Sequence, residues 1–303
     1  MKIAVTGAFS YSGKYIAKRL LERGNRVITL TGHPRRPDPF DGRIQAFPLD
    51  FEDEGALARA LDGVQVLVNT YWIRFDRGSN TQARAVKNTR LLVKAAQRAD
   101  VKRLIHISIT NPSSQTRLEY FRGKAANEEA IVESGIPYAI LRPTILFGTE
   151  DILINNMAFL VRRFPFFLLP GDGTYRVQPV FVDDVADLAT DAVYGRASYV
   201  MDAVGPEVFA FRHLVGLIGE TVGRTPRVLS VPPWLALRSA QLLGSLMADV
   251  LLTPQELEGL MANLLISEHP PRCQTKLSDW LRDHRATIGI RYASELERHY
   301  RSE

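Results

Sequence analysis

The sequence holds one cysteine, Cys273, so no disulfide can form within the chain. That excludes a disulfide scaffold and fits a reducing compartment, with Cys273 expected as a bystander thiol. No stretch is long and apolar enough to span a bilayer; the best candidate, Trp234 to Leu252, is broken by Arg238 and Asp249. The six histidines lack metal-ligand spacing, and no metal is expected. Met1-Lys2 runs directly into a strand-like stretch, so no signal peptide is expected. Basic residues exceed acidic ones only by 38 to 33, and the signs alternate along the chain. There is no basic stripe with interleaved aromatics, so nucleic acid is not an expected partner. Internal repeats and low-complexity tracts are also missing. What remains is a soluble, cytoplasmic-type protein of 303 residues, 46% hydrophobic, able to build one α/β domain and a smaller lobe.

The first half alternates short apolar runs with amphipathic stretches. Strands are expected over Lys2–Thr6, Arg26–Thr31, Ile44–Pro48, Val64–Asn69, Arg103–Ser108 and Tyr138–Arg142. Helices are expected over Gly13–Arg23, Gly55–Leu61, Thr81–Arg98 and Tyr120–Ser134. Such alternation predicts an α/β, doubly wound Rossmann parallel sheet with helices on both faces. Ligands then meet the carboxyl ends of the strands. After Pro143 the rhythm breaks. A nucleotide-binding domain is expected over 1–148, its sheet completed by parts of 175–204, and a small, mostly helical lobe over 149–303. That lobe includes helices at Asn155–Arg163 and Phe211–Val222, a strand-then-helix run at Val180–Tyr194, a strand at Arg227–Val231, and a mostly helical stretch, Pro233–Ile266.

The loop Val5-Thr6-Gly7-Ala8-Phe9-Ser10-Tyr11-Ser12-Gly13 joins the first strand to the first helix. Gly7 permits a tight turn and Gly13 lets helix pack closely on strand. The amides around Ser10, Tyr11 and Ser12 face an anion at the helix N-terminus, where a pyrophosphate can sit. Ser10 stands where such loops usually carry a middle glycine, and its hydroxyl can donate to the phosphate. The plainer alternative is a strand-turn-helix with two structural glycines. After the second strand the chain reads Gly32-His33-Pro34-Arg35-Arg36, with no acid to hold the ribose hydroxyls of NAD. A guanidinium there matches the 2′-phosphate of NADP, so NADP(H) is expected over NAD(H); the alternative is a solvated basic loop. Asp50-Phe51 is placed to flank the adenine, and Asn69-Thr70 to reach the ribose or pyrophosphate.

Tyr120 and Lys124 lie four residues apart at the start of a helix, hence one turn apart on one face. A nearby ammonium lowers a phenol's pKa, fitting Tyr120 to exchange a proton with a substrate oxygen while hydride moves. The fifth strand ends in His106-Ile107-Ser108-Ile109-Thr110, where either hydroxyl could polarise a carbonyl or simply cap the loop.

With the glycine loop, Tyr120-x-x-x-Lys124, Leu141-Arg142-Pro143-Thr144 and Phe181-Val182-Asp183-Asp184-Val185-Ala186 in place, the chain resembles the extended and atypical short-chain dehydrogenase/reductases. Gly205-Pro206-Glu207 and Val231-Pro232-Pro233-Trp234 narrow the likeness to the NmrA-like group, which includes the NAD(P)-binding accessory subunit of mitochondrial complex I. The resemblance implies a seven-stranded parallel sheet and a small substrate lobe. It implies Tyr120 as acid/base, Lys124 on the nicotinamide ribose, Ser108 or Thr110 completing a triad, and Pro143 and Thr144 beside the cofactor. Two positions depart from the pattern: Ser10, and Ile109 where a hydroxyl would stand under one alignment.

Phe159, Phe164, Phe166, Phe167, Leu168, Leu169 and Trp234 offer the second lobe an apolar pocket, or are core and interface residues. The mostly apolar Leu242–Ile266 stretch could be a lid helix, a dimer face or a membrane-surface contact, and internal packing is the expectation. The expected function is an NADP(H)-dependent oxidoreductase, or an epimerase/dehydratase-type enzyme, of a small and largely apolar carbonyl, hydroxyl or quinone-like substrate. The alternative is a non-catalytic NADP(H)-binding redox sensor or accessory subunit. A nucleotide-sugar epimerase fits less well, because the second lobe has no set of residues to grip a diphosphate. The chain is expected to be a monomer or homodimer.

Overall fold

The structure, a computed structural model, describes residues 1–33 and 36–300. The chain begins β1 (Lys2–Thr6), α1 (Tyr11–Glu22), β2 (Arg26–Thr31), β3 (Gln45–Pro48), α2 (Glu54–Ala60), β4 (Val66–Asn69) and α3 (Gln82–Arg98). It continues β5 (Arg103–Ile107), α4 (Glu119–Glu133), β6 (Tyr138–Pro143), β7 (Leu146–Phe147), α5 (Leu153–Arg163), β8 (Phe166–Pro170), β9 (Arg176–Val177) and β10 (Val180–Phe181). Then come α6 (Val182–Tyr194), β11 (Tyr199–Ala203), β12 (Phe209–Ala210), α7 (Phe211–Thr221), β13 (Arg227–Val231) and α8 (Pro233–Leu246). The last are α9 (Pro254–Met261), α10 (Leu277–Asp283) and α11 (Glu295–Tyr300). Two compact units result: 1–143 with 182–203, and 144–181 with 204–303.

The first unit is a seven-stranded sheet in the order β11-β6-β5-β4-β1-β2-β3, all neighbours parallel. Helices α1 and α6 pack together on one face of the sheet, and α3 packs between α2 and α4 on the other. The inner strands are buried on both sides, which is why β1, β2 and β4 read as near-continuous apolar runs. Helix α1 buries Gly13, Ile16, Ala17 and Leu20, a stripe at helical spacing. It stops at Gly24, which takes φ +74°; the Gly24 and Asn25 amides return to Leu21 and Leu20 carbonyls at 2.9 and 3.1 Å. Arg19 on α1 holds Asp183 and Asp187 of α6 at 2.9 and 2.8 Å, so the Phe181–Ala186 motif anchors that helix to α1. Strand order reverses between β1 and β4, so a crevice opens at their carboxyl ends.

The second unit has its own core, built from Phe147, Ile154, Met157, Val161, Leu169, Leu214, Ile218, Trp280 and Leu281. Three short strand pairs frame it: β7 with β10, β9 with β12, and β8 with β13. Asn156 exchanges two hydrogen bonds with the Ala293 backbone, at 2.8 and 2.9 Å. Asp249 accepts from the Glu295 and Leu296 amides at 3.0 Å and from the Tyr292 hydroxyl at 2.5 Å, fixing the start of α11. Among the described residues no helix is long and apolar enough to cross a membrane.

Two expectations for this unit hold only in part. Of the proposed pocket residues, Leu169 and Phe167 belong to the core, but Phe164, Phe166 and Trp234 are exposed. Nor does all of the Leu242–Ile266 stretch pack internally: Leu257 and Leu260 are buried, whereas Leu242 and Leu246 face outward. The reason lies in α8, whose only buried residues are the small Ala236 and Gly244.

Candidate functional site

The β1–α1 loop turns at Gly7, which takes φ +67°. A Cβ on Gly13 would lie 2.2 Å from the Gly7 carbonyl oxygen, so only glycine lets α1 start this close to the strand. The loop is braced from β2: the Ala8 amide donates to Thr29 Oγ1 at 2.9 Å, and that hydroxyl donates to the Val5 carbonyl at 3.0 Å. Ser10 is the N-cap of α1, yet its side chain does not cap the helix. Its Oγ instead accepts from Arg36 Nη1 at 2.9 Å, leaving its own proton to donate outward. The first-turn amides of Tyr11, Ser12 and Gly13 have no intrahelical acceptors, so the helix end suits an anion. A glycine cradle that a Cβ would fill, an uncapped helix N-terminus and a guanidinium at its rim together fit the pyrophosphate and an adjoining phosphate of a dinucleotide.

The turn after β2 is held by the His33 amide donating to Thr31 Oγ1 at 3.0 Å and the Arg36 amide to the His33 carbonyl at 3.1 Å. Arg35 lies outside the described residues. Asp50 is exposed, and its carboxylate accepts from the Glu52 amide at 2.9 Å. The Phe51 ring lies 5.0 Å from that of Tyr71, forming an aromatic wall after β3 and β4.

At the end of β4 the expectation divides. Thr70 stands beside the loop: its hydroxyl donates to the Thr6 carbonyl at 2.6 Å and its oxygen lies 3.7 Å from where a Gly7 Cβ would be. Asn69 does not reach outward as expected. It is buried, with Oδ1 accepting from Thr6 Oγ1 and the Tyr71 amide at 3.2 and 3.0 Å, and Nδ2 3.2 Å from His106 Nδ1. Because Asn69 Oδ1 is already an acceptor, its amide donates to the imidazole, and the His106 proton sits on Nε2. Burial, helped by the Lys124 charge, pushes the His106 pKa down to about 3, so the ring is neutral.

Helix α4 presents Tyr120, Lys124 and Glu128 at successive turns. Lys124 is buried, and Nζ donates to the Ile107 carbonyl at 3.0 Å. The ammonium also stands 5.0 Å from the centroid of Trp72, a cation–π contact. Burial pushes its pKa down to about 7, against the pull of Glu128. Tyr120 is half-buried and meets the Trp72 ring edge to face, centroids 5.7 Å apart, with Phe121 at the same distance. Gly123 makes room for the indole: a Cβ there would lie 2.6 Å from Trp72 Cη2. The phenol and the ammonium are therefore brought together around one indole at the carboxyl end of β4 and β5.

Ser108 does not complete a triad. Its hydroxyl donates to Glu128 Oε1 at 2.5 Å, and the same carboxylate takes Arg142 Nε and Nη2 at 3.0 and 2.5 Å. This ion pair ties β5, α4 and β6 together and holds the serine oxygen in the interior. Thr110 is fully enclosed, its amide donating to the Pro143 carbonyl at 3.0 Å. Pro143 ends β6 in the first unit. Thr144 opens the second unit, where its buried hydroxyl donates to the Gln178 carbonyl. Trp72, His106, Glu128 and Thr29 were not singled out from the sequence. A histidine inside an apolar strand, and a carboxylate four residues after Lys124, were the available signals; Trp72 offered none.

The profile of the family described as NAD(P)H-binding matches residues 7–160, just over half of the chain. The mitochondrial NADH dehydrogenase [ubiquinone] 1 alpha subcomplex subunit 9 of Arabidopsis thaliana is 26% identical over 239 residues, covering 75% of this chain and 60% of its own. The chain thus spans about three-fifths of that relative's length. The NADPH-dependent quinone oxidoreductase of Escherichia coli, solved with NADPH, superposes with a TM-score of 0.74 at 20% identity, covering 93% of this chain and 99% of its own. A nucleoside-diphosphate-sugar epimerase of Staphylococcus aureus gives 0.73 at 16% identity, covering 93% and 100%. Both likenesses are of fold. The chain belongs to the NAD(P)H-binding family.

Proposed function

We propose that this protein is an NADP(H)-dependent oxidoreductase acting on a small, largely apolar carbonyl or quinone-like substrate. The observation that carries the reading is the gathering of Tyr120 and Lys124 around Trp72, on the sheet edge that also carries the Gly7–Gly13 cradle. Bound NADPH supplies the hydride. Tyr120 Oη donates the proton to the substrate oxygen, and the Lys124 ammonium favours the phenolate left behind. Lys124 has two further N–H donors besides that on Ile107, enough to hold the nicotinamide ribose. Arg36, bonded to Ser10 at the rim of the cradle, takes the 2′-phosphate. The Trp72 and Phe121 rings flank the phenol, an aromatic setting for a flat apolar substrate such as a quinone. The quinone oxidoreductase with the same fold supports that substrate class by analogy.

One observation favours a second reading, a protein that binds NADP(H) without turnover. The Ser108 hydroxyl, just past β5, donates to Glu128 and not towards a substrate carbonyl. Steady-state assay of NADPH oxidation against a panel of quinones and aldehydes separates the two. Turnover by the wild type is expected, with Tyr120→Phe lowering kcat by about 100-fold or more at unchanged NADPH affinity. Full activity in Tyr120→Phe overturns the proton assignment. Tight NADPH binding with no turnover on any member of the panel supports the second reading.

A further inference from the structure

Helix α8 inverts the usual arrangement of a surface helix. Its inward side is made of small residues: Ala236 and Gly244 are buried, and a Cβ on Gly244 would lie 2.7 Å from the Asp249 carbonyl oxygen. Its outward side carries Trp234, Arg238, Leu242 and Leu246, four residues spaced one turn apart. The three apolar members are 65%, 66% and 78% exposed. An apolar helix face is ordinarily enclosed, and this one is not.

The strand pair that leads into α8 extends the same character. Val228, Phe167 and Leu169 point into the core of the second unit. Phe166, Arg227 and Leu229 lie on the alternate face, with Arg227 paired to Phe166 across the sheet, and all three are exposed. The exposed Asp172 belongs to the other side, where its backbone carbonyl accepts from Arg212, which also donates to Ser230 Oγ. Over residues 221–248 the chain carries Arg224, Arg227 and Arg238 and not one carboxylate.

We propose that this face of α8, with Phe166 and Leu229 beside it, docks on an anionic lipid surface. A second copy of the chain is the poorer occupant. Pairing the face with itself would press Arg227 and Arg238 towards their own images, with no carboxylate on the patch to neutralise them. An anionic bilayer supplies what the face lacks: negative headgroups for the arginines and hydrocarbon for Leu242, Leu246 and Phe166. Trp234, at the helix N-terminus, is the residue type that settles at the headgroup level. The helix is too short to span and would lie in the interface plane.

The test is co-sedimentation of the full chain with vesicles of phosphatidylcholine alone and of equimolar phosphatidylcholine and phosphatidylglycerol. Binding to the anionic vesicles is expected, with a blue shift in tryptophan fluorescence that Trp234→Phe abolishes. Leu242→Asp combined with Leu246→Asp should lower binding by about tenfold or more. Arg227→Gln combined with Arg238→Gln should remove the preference for anionic lipid. The five positions are exposed, so unchanged thermal unfolding midpoints verify that the variants fold. Failure to bind anionic vesicles overturns the proposal, as does equal binding to both compositions. Concentration-dependent dimerisation that Leu242→Asp/Leu246→Asp abolishes, without vesicle binding, would instead make the face an interface between copies of the chain.

Discussion

Gly13 shows how one missing side chain sets a binding site. Its α-carbon sits so close to the Gly7 carbonyl that a methyl group there would have to move backbone, not a flexible side chain. Gly13→Ala should therefore shift α1 away from β1 and weaken dinucleotide binding by about tenfold or more, with a cost to stability of roughly 1–3 kcal/mol. Titration calorimetry and thermal unfolding check the two parts; unchanged affinity would mean that the loop does not hold the pyrophosphate. The glycines were legible in the sequence because their spacing carries their geometry. The roles of the hydroxyls were not. Ser108 and Thr110 stand at the end of a strand like catalytic residues, and Asn69 stands like a ribose ligand. Each has been drawn into the interior by a partner distant in sequence, Glu128, Pro143 or His106. Trp72 escaped notice for the same reason, since its neighbours Tyr120, Gly123 and Lys124 come from another element.

At the scale of elements, β5 and α4 are joined by polar groups that a strand and helix of this kind could have replaced with apolar ones. His106 lies wholly buried in β5 beside Asn69, and Lys124 on α4 is nearly as enclosed. The sign of the histidine's effect follows from its pKa, about 3 in the folded chain against 6.5 when solvated. Above pH 6.5 it is neutral in both states and its native environment costs nothing in protonation. As pH falls from 6.5 towards 3 the unfolded chain takes up a proton that the folded chain refuses, and stability is lost. Unfolding midpoints measured across this window should fall less steeply in His106→Gln than in the wild type; parallel curves would contradict a neutral buried imidazole. The strands and helices of the first unit were legible to within a few residues, because apolar period and capping residues are local signals. The exposure of α8 was not, because composition alone cannot tell an apolar helix face that is enclosed from one that is not.

Across the whole molecule, charge is divided unevenly. Basic and acidic residues balance in 144–181 with 204–303, so the net charge of +5 lies entirely in the nucleotide-binding unit. An anionic ligand is served by that placement, and Arg36 at the cradle's rim gives it a point of attachment. The second unit contributes no net charge, only a local patch of arginine among exposed apolar side chains. The central claim is that the first unit holds NADP(H) and prefers it to NAD(H) through Arg36. Calorimetric titration of cofactor-stripped protein with NADPH and NADH tests it most directly. The account predicts that NADPH binds about tenfold or more tightly than NADH, and that Arg36→Ala removes most of the difference. Equal affinity for the two, or a preference that survives in Arg36→Ala, would contradict it.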